Sequence, residues 1–124
     1  GQVDMLHFRP NIVVSGQLQP WAEDAWARIE EAGEPSNVTV GRMVLDVVKP
    51  CSRCTMPNVD HKRGVMREDK QPSKEMKSFR AGKHLGYDKA HPKWSGQLFF
   101  GQNLIQKGNG GKIRQGQSLV ASSQ

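Results

Sequence analysis

Apolar and β-branched residues come in short blocks separated by Gly, Pro and polar turns. Phe8 to Ser15 is predicted to be a buried strand, because Asn11-Ile12-Val13-Val14 is β-branched and apolar and Gly16 closes the run. Pro20 suits the first position of a helix, with Glu23 and Asp24 near its positive end. Trp21, Ala25, Trp26 and Ile29 share one side at helical spacing, so a short amphipathic helix is expected there. A turn is expected at residues 33–37, then a strand from Val38 to Val48 interrupted near Gly41, where the apolar phase shifts. Residues 60–96 are polar and basic with few apolar positions, and read as a long loop region with one helical turn. Leu98-Phe99-Phe100 restarts a strand, and Lys112–Arg114 and Ser118–Val120 read as two short strands around a Gly116 turn. The outline is mostly β (α+β), with short helices and no internal repeat.

At 124 residues the chain fits one domain, 1–124, with a single modest core. No apolar run is long enough to span a membrane, and no basic segment leads into an apolar one at the N-terminus. The net charge of +6 is uneven: residues 1–50 carry four Lys/Arg against seven Asp/Glu, and residues 51–124 carry fourteen against five. A basic half attracts nucleic acid or a phosphorylated small molecule, or is simply a solvated face. No aromatic platform lies among these cations, which argues against nucleic acid.

The two cysteines form Cys51-Ser52-Arg53-Cys54. By itself the pair admits three readings. Zinc needs two further ligands from His7, His61, His84 and His91. Dithiol exchange needs a helix start in a βαβ unit. The third reading is a pair of partly buried thiols at a strand end. Free thiols favour a reducing compartment, and a cytoplasmic location is expected.

Five segments, in order, resemble one family. Phe8-Arg9-Pro10-Asn11-Ile12-Val13-Val14-Ser15-Gly16, Ala22-Glu23-Asp24 with Trp26, Lys49-Pro50-Cys51-Ser52-Arg53-Cys54 with Val59-Asp60, Lys77-Ser78-Phe79-Arg80, and Phe100-Gly101-Gln102-Asn103-Leu104-Ile105 are similar to stretches of MOSC domains. Ile113 and Gly116 match the family's closing segment. The resemblance is nearest to the bacterial and mitochondrial proteins that reduce N-hydroxylated compounds, the mitochondrial amidoxime-reducing component among them. It implies a MOSC-type β-barrel that binds the molybdenum cofactor (molybdopterin).

By this resemblance Cys54 is the metal ligand and the catalytic residue, a soft anionic donor suited to molybdenum already held by the dithiolene. Cys51 is structural or tunes the site. Arg9 and Asn11 contact the cofactor, the first through a fork of donors and the second through an amide that donates and accepts. Ser52 and Arg53 lie at cofactor-binding positions. Pyridoxal phosphate binding enters only at the level of the wider family. An electron-donor protein or fused redox domain is implied as partner, since no ferredoxin-like cysteine cluster is present; a homo-oligomer is a further expectation. Longer relatives carry more MOSC sequence before the Phe8 segment, and a β-rich domain before that, so the N-terminal part of the cradle is expected to be missing. Thr55-Met56-Pro57-Asn58 departs from the paired threonines common at that point. The alternative function is a non-catalytic truncated MOSC domain serving as a binding or sulfur-carrier module. Apart from the resemblance, Arg9 reads as one half of a surface ion pair, and Asp60 and Gly101 read as turn and bulge residues.

Overall fold

The computed structural model describes residues 3–33, 42–108 and 112–123. Among these described residues six strands dominate: β1 Trp26–Glu31, β2 Val44–Arg53, β3 Val59–Asp60, β4 Val65–Met66, β5 Leu98–Lys107 and β6 Leu119–Ser123. Two four-residue helices, α1 Ser73–Met76 and α2 Gly82–Leu85, and several 3-10 turns complete it. The main sheet has the order β5-β2-β1-β6, and β3 and β4 form a separate hairpin. The mostly-sheet outline is therefore correct, while neither sheet closes into a barrel among the described residues. No described helix is long and apolar enough to cross a membrane.

The chain divides into two compact units. The first comprises 1–17 and 51–100, and the second 18–50 and 101–124. In the first, Phe8, Met76, Ala81 and Leu98 form a buried cluster against which Val3 and Phe100 pack. Phe99, only 1% exposed, meets the Tyr87 ring edge-on at 5.0 Å and Trp94 at 5.6 Å. Gly82 passes so close to the Trp94 carbonyl that a Cβ there would overlap it, which accounts for glycine at the start of α2. Arg80 is buried and donates from Nε to the Phe99 carbonyl at 3.0 Å, while the Phe99 N–H donates to the Arg80 carbonyl at 3.0 Å. This reciprocal pair fixes the entry to β5.

In the second unit β1 lies antiparallel to both β2 and β6, with Arg28 opposite Asp46 and Ile29 opposite Leu45 and Ala121. The Arg28 Nε meets the Asp46 carboxylate at 3.1 Å. Glu31 is 2% exposed, and its carboxylate accepts from the Met43 N–H at 2.9 Å and the Gln117 amide at 3.0 Å. Paired in this way, a buried acid is tolerated. Pro50 lies beyond residues 44–46, the part of β2 registered with β1, so its missing N–H leaves that ladder intact.

Several sequence expectations are corrected. Residues 8–15 form no strand: Phe8 ends a 3-10 turn, Met5–Phe8, and Arg9 turns left-handed. The β-branched run that follows is largely outside the core, with Ile12 37% and Val13 59% exposed. The helix expected over residues 21–29 is instead a 3-10 turn, Ala22–Ala25, leading into β1. Burial there falls on Ile29 and Glu31, two positions apart, as strand geometry requires. Residues 60–96 hold more regular structure than expected: β4, part of the β3–β4 hairpin, both helices and two 3-10 turns. Only the second strand expected after Lys112 is present, as β6, with Gly116 (φ +83°) in the turn before it. The expected strand start at Val38–Gly41 and most of the 33–37 turn lie outside the described residues.

Candidate functional site

All five candidate residues belong to the first unit. Cys51 and Ser52 lie within β2 and Arg53 ends it, so the pair is on a strand and not at the helix start that dithiol exchange calls for. Cys54 follows at once. Its thiol is free and exposed, and Sγ accepts the Met56 N–H at 3.4 Å. Cys51 is less exposed, and its Sγ donates to the Ser52 carbonyl at 3.7 Å. The two thiols therefore differ: one is open and supported by a backbone donor, the other is half-covered and turned to a carbonyl.

Arg53 joins the two halves of the site. Its Nε donates to the Phe100 carbonyl at 2.9 Å and its Nη1 to the Phe8 carbonyl at 3.0 Å. The guanidinium carbon sits 5.5 Å from the centre of the Phe8 ring, which stacks on Phe100 at 4.0 Å and 12°. A cation on an aromatic face, with both neighbouring carbonyls satisfied, is a well-supported anchor. The chain neighbours Phe8–Arg9 and Arg53–Cys54 are thereby brought together. The resemblance placed Arg53 against the cofactor; in the structure its guanidinium spans these two carbonyls. Sequence reasoning missed this, because two of its acceptors are main-chain carbonyls that carry no residue signature.

Arg9 sits at φ 49°, ψ 52°, a conformation uncommon outside glycine, asparagine and aspartate. Its backbone N–H is tied to the Leu6 carbonyl at 3.1 Å. Its side chain is exposed and forms no ion pair or hydrogen bond among the described residues, so the surface ion pair is not seen. Asn11 is exposed and its amide is likewise unengaged among the described residues. Ser52 is exposed in β2. No hydrogen bond among the described residues links the side chains of Asn11 or Ser52 to Arg9 or Cys54.

Asp60 shapes the loop after Cys54, as the sequence suggested. Its carboxylate accepts from the Lys62 N–H at 3.0 Å and the Arg63 N–H at 3.2 Å. The Arg63 and Lys62 amides hold its carboxyl below the usual range, against a smaller upward push from desolvation. Asn58, 3% exposed, ties this loop to α1: its Oδ1 accepts from the Ser73 N–H at 3.1 Å and the Ser73 hydroxyl at 2.9 Å. Gly101 has φ +82° within β5, in keeping with the irregularity expected there.

Residues 1–120 match the MOSC domain family. The chain belongs to the MOSC family. Among curated proteins, this MOSC chain is 38% identical over 79 residues to mitochondrial amidoxime-reducing component 1 of Homo sapiens. That match covers 64% of this chain and 20% of the relative. It is 31% identical over 81 residues to the molybdenum cofactor sulfurase of Oryza sativa subsp. japonica, covering 65% of this chain and 9% of that one. The mitochondrial amidoxime reducing component 2 of Rattus norvegicus is 34% identical over 79 residues, covering 64% and 20%. The MOSC chain thus spans about a fifth or less of the length of these relatives.

The residues present fit a molybdenum cofactor. An exposed thiol supported by an N–H suits a soft metal. An unengaged guanidinium and an unengaged amide suit phosphate and pterin. The only His/Cys/Asp/Glu cluster of ligating geometry among the described residues contains neither cysteine, so zinc at the cysteine pair finds no support.

Proposed function

We propose that this MOSC chain is a molybdenum-cofactor-binding module of an oxidoreductase acting on N-hydroxylated compounds, with Cys54 as metal ligand. The observation that carries the reading is the Arg53 bridge to the Phe8 carbonyl, which ties the residue before Cys54 to the residue before Arg9. Names of relatives that refer to amidoxime reduction and to the molybdenum cofactor support it.

Cys54 binds the metal through its sulfur, which the Met56 N–H holds in place. Arg9 binds phosphate or pterin oxygen, and its strained, hydrogen-bonded backbone limits the directions its side chain takes. Asn11 and Ser52 complete the polar edge. Arg53 acts by positioning the chain on both sides. When bound, the cofactor would supply the two-electron redox chemistry, with reducing equivalents arriving from an electron-donor protein or fused redox domain. The closed barrel of the family and a cytoplasmic location are carried with this reading, although two relatives cited above are named mitochondrial.

The test mixes the protein with released molybdenum cofactor, alone and with a donor partner, and measures retained molybdenum. Retention that Cys54→Ala abolishes and Arg9→Ala lowers is expected. Retention indifferent to Cys54→Ala, or none in either condition, overturns the reading in favour of a non-catalytic binding or sulfur-carrier module.

A further inference from the structure

We propose that Asp4, His7 and His61 form a binding site for a divalent first-row transition-metal ion of the zinc type, separate from the cysteine site. One ligating atom from each of the three residues lies within 4.8 Å of the other two. The His7 and His61 rings approach to 4.5 Å at 60°, although 53 residues of chain separate their positions. Around a tetrahedral ion with bonds of about 2.0–2.1 Å, donor atoms stand roughly 3.3 Å apart. The cluster therefore has to contract by only an ångström or so, on the order of a side-chain adjustment. His61 is exposed, and Asp4, also exposed, caps the 3-10 turn through Oδ1 alone and keeps its second carboxylate oxygen for the ion.

The state of His7 is the independent observation that points to a ligand. Its side chain is only 4% exposed. Nδ1 lies 3.1 Å from both the Asp4 N–H and the Asp4 carboxylate. The other ring nitrogen, Nε2, has no hydrogen-bond partner among the described residues. No fully buried side-chain nitrogen lacks a partner among them, so Nε2 keeps a contact with solvent and can carry the ring proton there, leaving the Nδ1 lone pair toward Asp4. Nδ1 cannot accept from the amide and donate to the carboxylate at once. With the proton on Nε2, the Nδ1 lone pair and the carboxylate oxygen face each other at 3.1 Å, an arrangement that a cation relieves.

Imidazole and carboxylate together suit zinc and its neighbours better than calcium or magnesium, which favour all-oxygen shells. Three protein donors leave a position for water. An ion there would clip the 3-10 turn before Arg9 to the turn after Asp60. The proposal uses none of the residues assigned to molybdenum, so either reading can fail without the other.

The experiment titrates Zn2+ and, as a spectroscopic probe, Co2+ into the full chain, into His61→Ala and Asp4→Asn, and into the Cys51→Ser/Cys54→Ser double variant. His61 is exposed, and Asn keeps the N-terminal cap that Asp4 provides, so these variants remain folded. One ion per chain is expected, with a rise in melting temperature that tracks occupancy. Affinity should fall at least about tenfold, or roughly 1.4 kcal/mol, in His61→Ala and Asp4→Asn, and stay unchanged in the cysteine double variant. Cobalt should give visible d–d bands without thiolate charge transfer. Absence of binding to the parent chain overturns the proposal. So does binding that disappears with the cysteines but survives His61→Ala.

Discussion

The guanidinium of Arg53 donates to the carbonyl of Phe8 at 3.0 Å while lying over the Phe8 ring, so two segments 45 residues apart are joined one residue short of Arg9 and of Cys54. Replacing Arg53 with Lys leaves a point charge that cannot reach the Phe8 and Phe100 carbonyls with a planar fork. Arg53→Lys should cost about 2 kcal/mol of stability in urea melts, on the scale of hydrogen bonds to a charged group. Its loss of retained molybdenum should exceed that of a surface Lys77→Ala control. A variant that melts like the parent would mean the bridge contributes little.

Cys54 should alkylate faster than Cys51. It is the exposed thiol, whereas Cys51 is half-covered and turned to the Ser52 carbonyl. Iodoacetamide kinetics on Cys51→Ser and Cys54→Ser variants read this directly. Equal rates would undo the assignment of the ligand.

Gly82→Ala should destabilise the first unit by on the order of 3 kcal/mol, because the added methyl meets the Trp94 backbone and not a side chain that can swing away. Gly96→Ala, with open space around its Cβ position, should cost far less. Thermal melts of the two variants make the comparison.

Stability should fall in acid through a defined carboxylate. Asp69 is held well below the ordinary carboxylate range, first by its bond from Arg67 and then by the Gln71 N–H. The Arg67 Nη2 lies 2.7 Å from it. Because the folded value is depressed, the contribution is present above the unfolded value of about 4 and fades as pH drops below it. The melting temperature of Asp69→Asn should therefore converge on that of the parent as pH is lowered from 6 toward 2.5. A gap that stays constant would assign the effect to something other than this charge.

The sequence carried the loop after Cys54 better than it carried β1 or the segment from Phe8 to Ser15. Asp60 could be read as a turn-former because a carboxylate two residues before free amides has few other uses, and its bonds to Lys62 and Arg63 follow that rule. β1 was misread because its inward positions are Ile29 and the acid Glu31; a buried carboxylate breaks the apolar alternation that marks a strand. The Phe8–Ser15 block failed for the opposite reason: β-branched residues that look like core stand at the surface at Ile12 and Val13. The His7–His61 pairing had no local signal, since only the three-dimensional return of the chain brings those rings together.

The backbone at Arg9 has a consequence for how this molecule tolerates change. A left-handed residue carrying a long side chain sits about 1–2 kcal/mol above its relaxed alternatives. Folding alone would favour glycine at that position. The arginine gives the core nothing in return, since its side chain is exposed and unengaged among the described residues. Position 9 is therefore a place where sturdiness and surface charge pull apart: Arg9→Gly should relax the backbone at the expense of the one guanidinium that this turn carries.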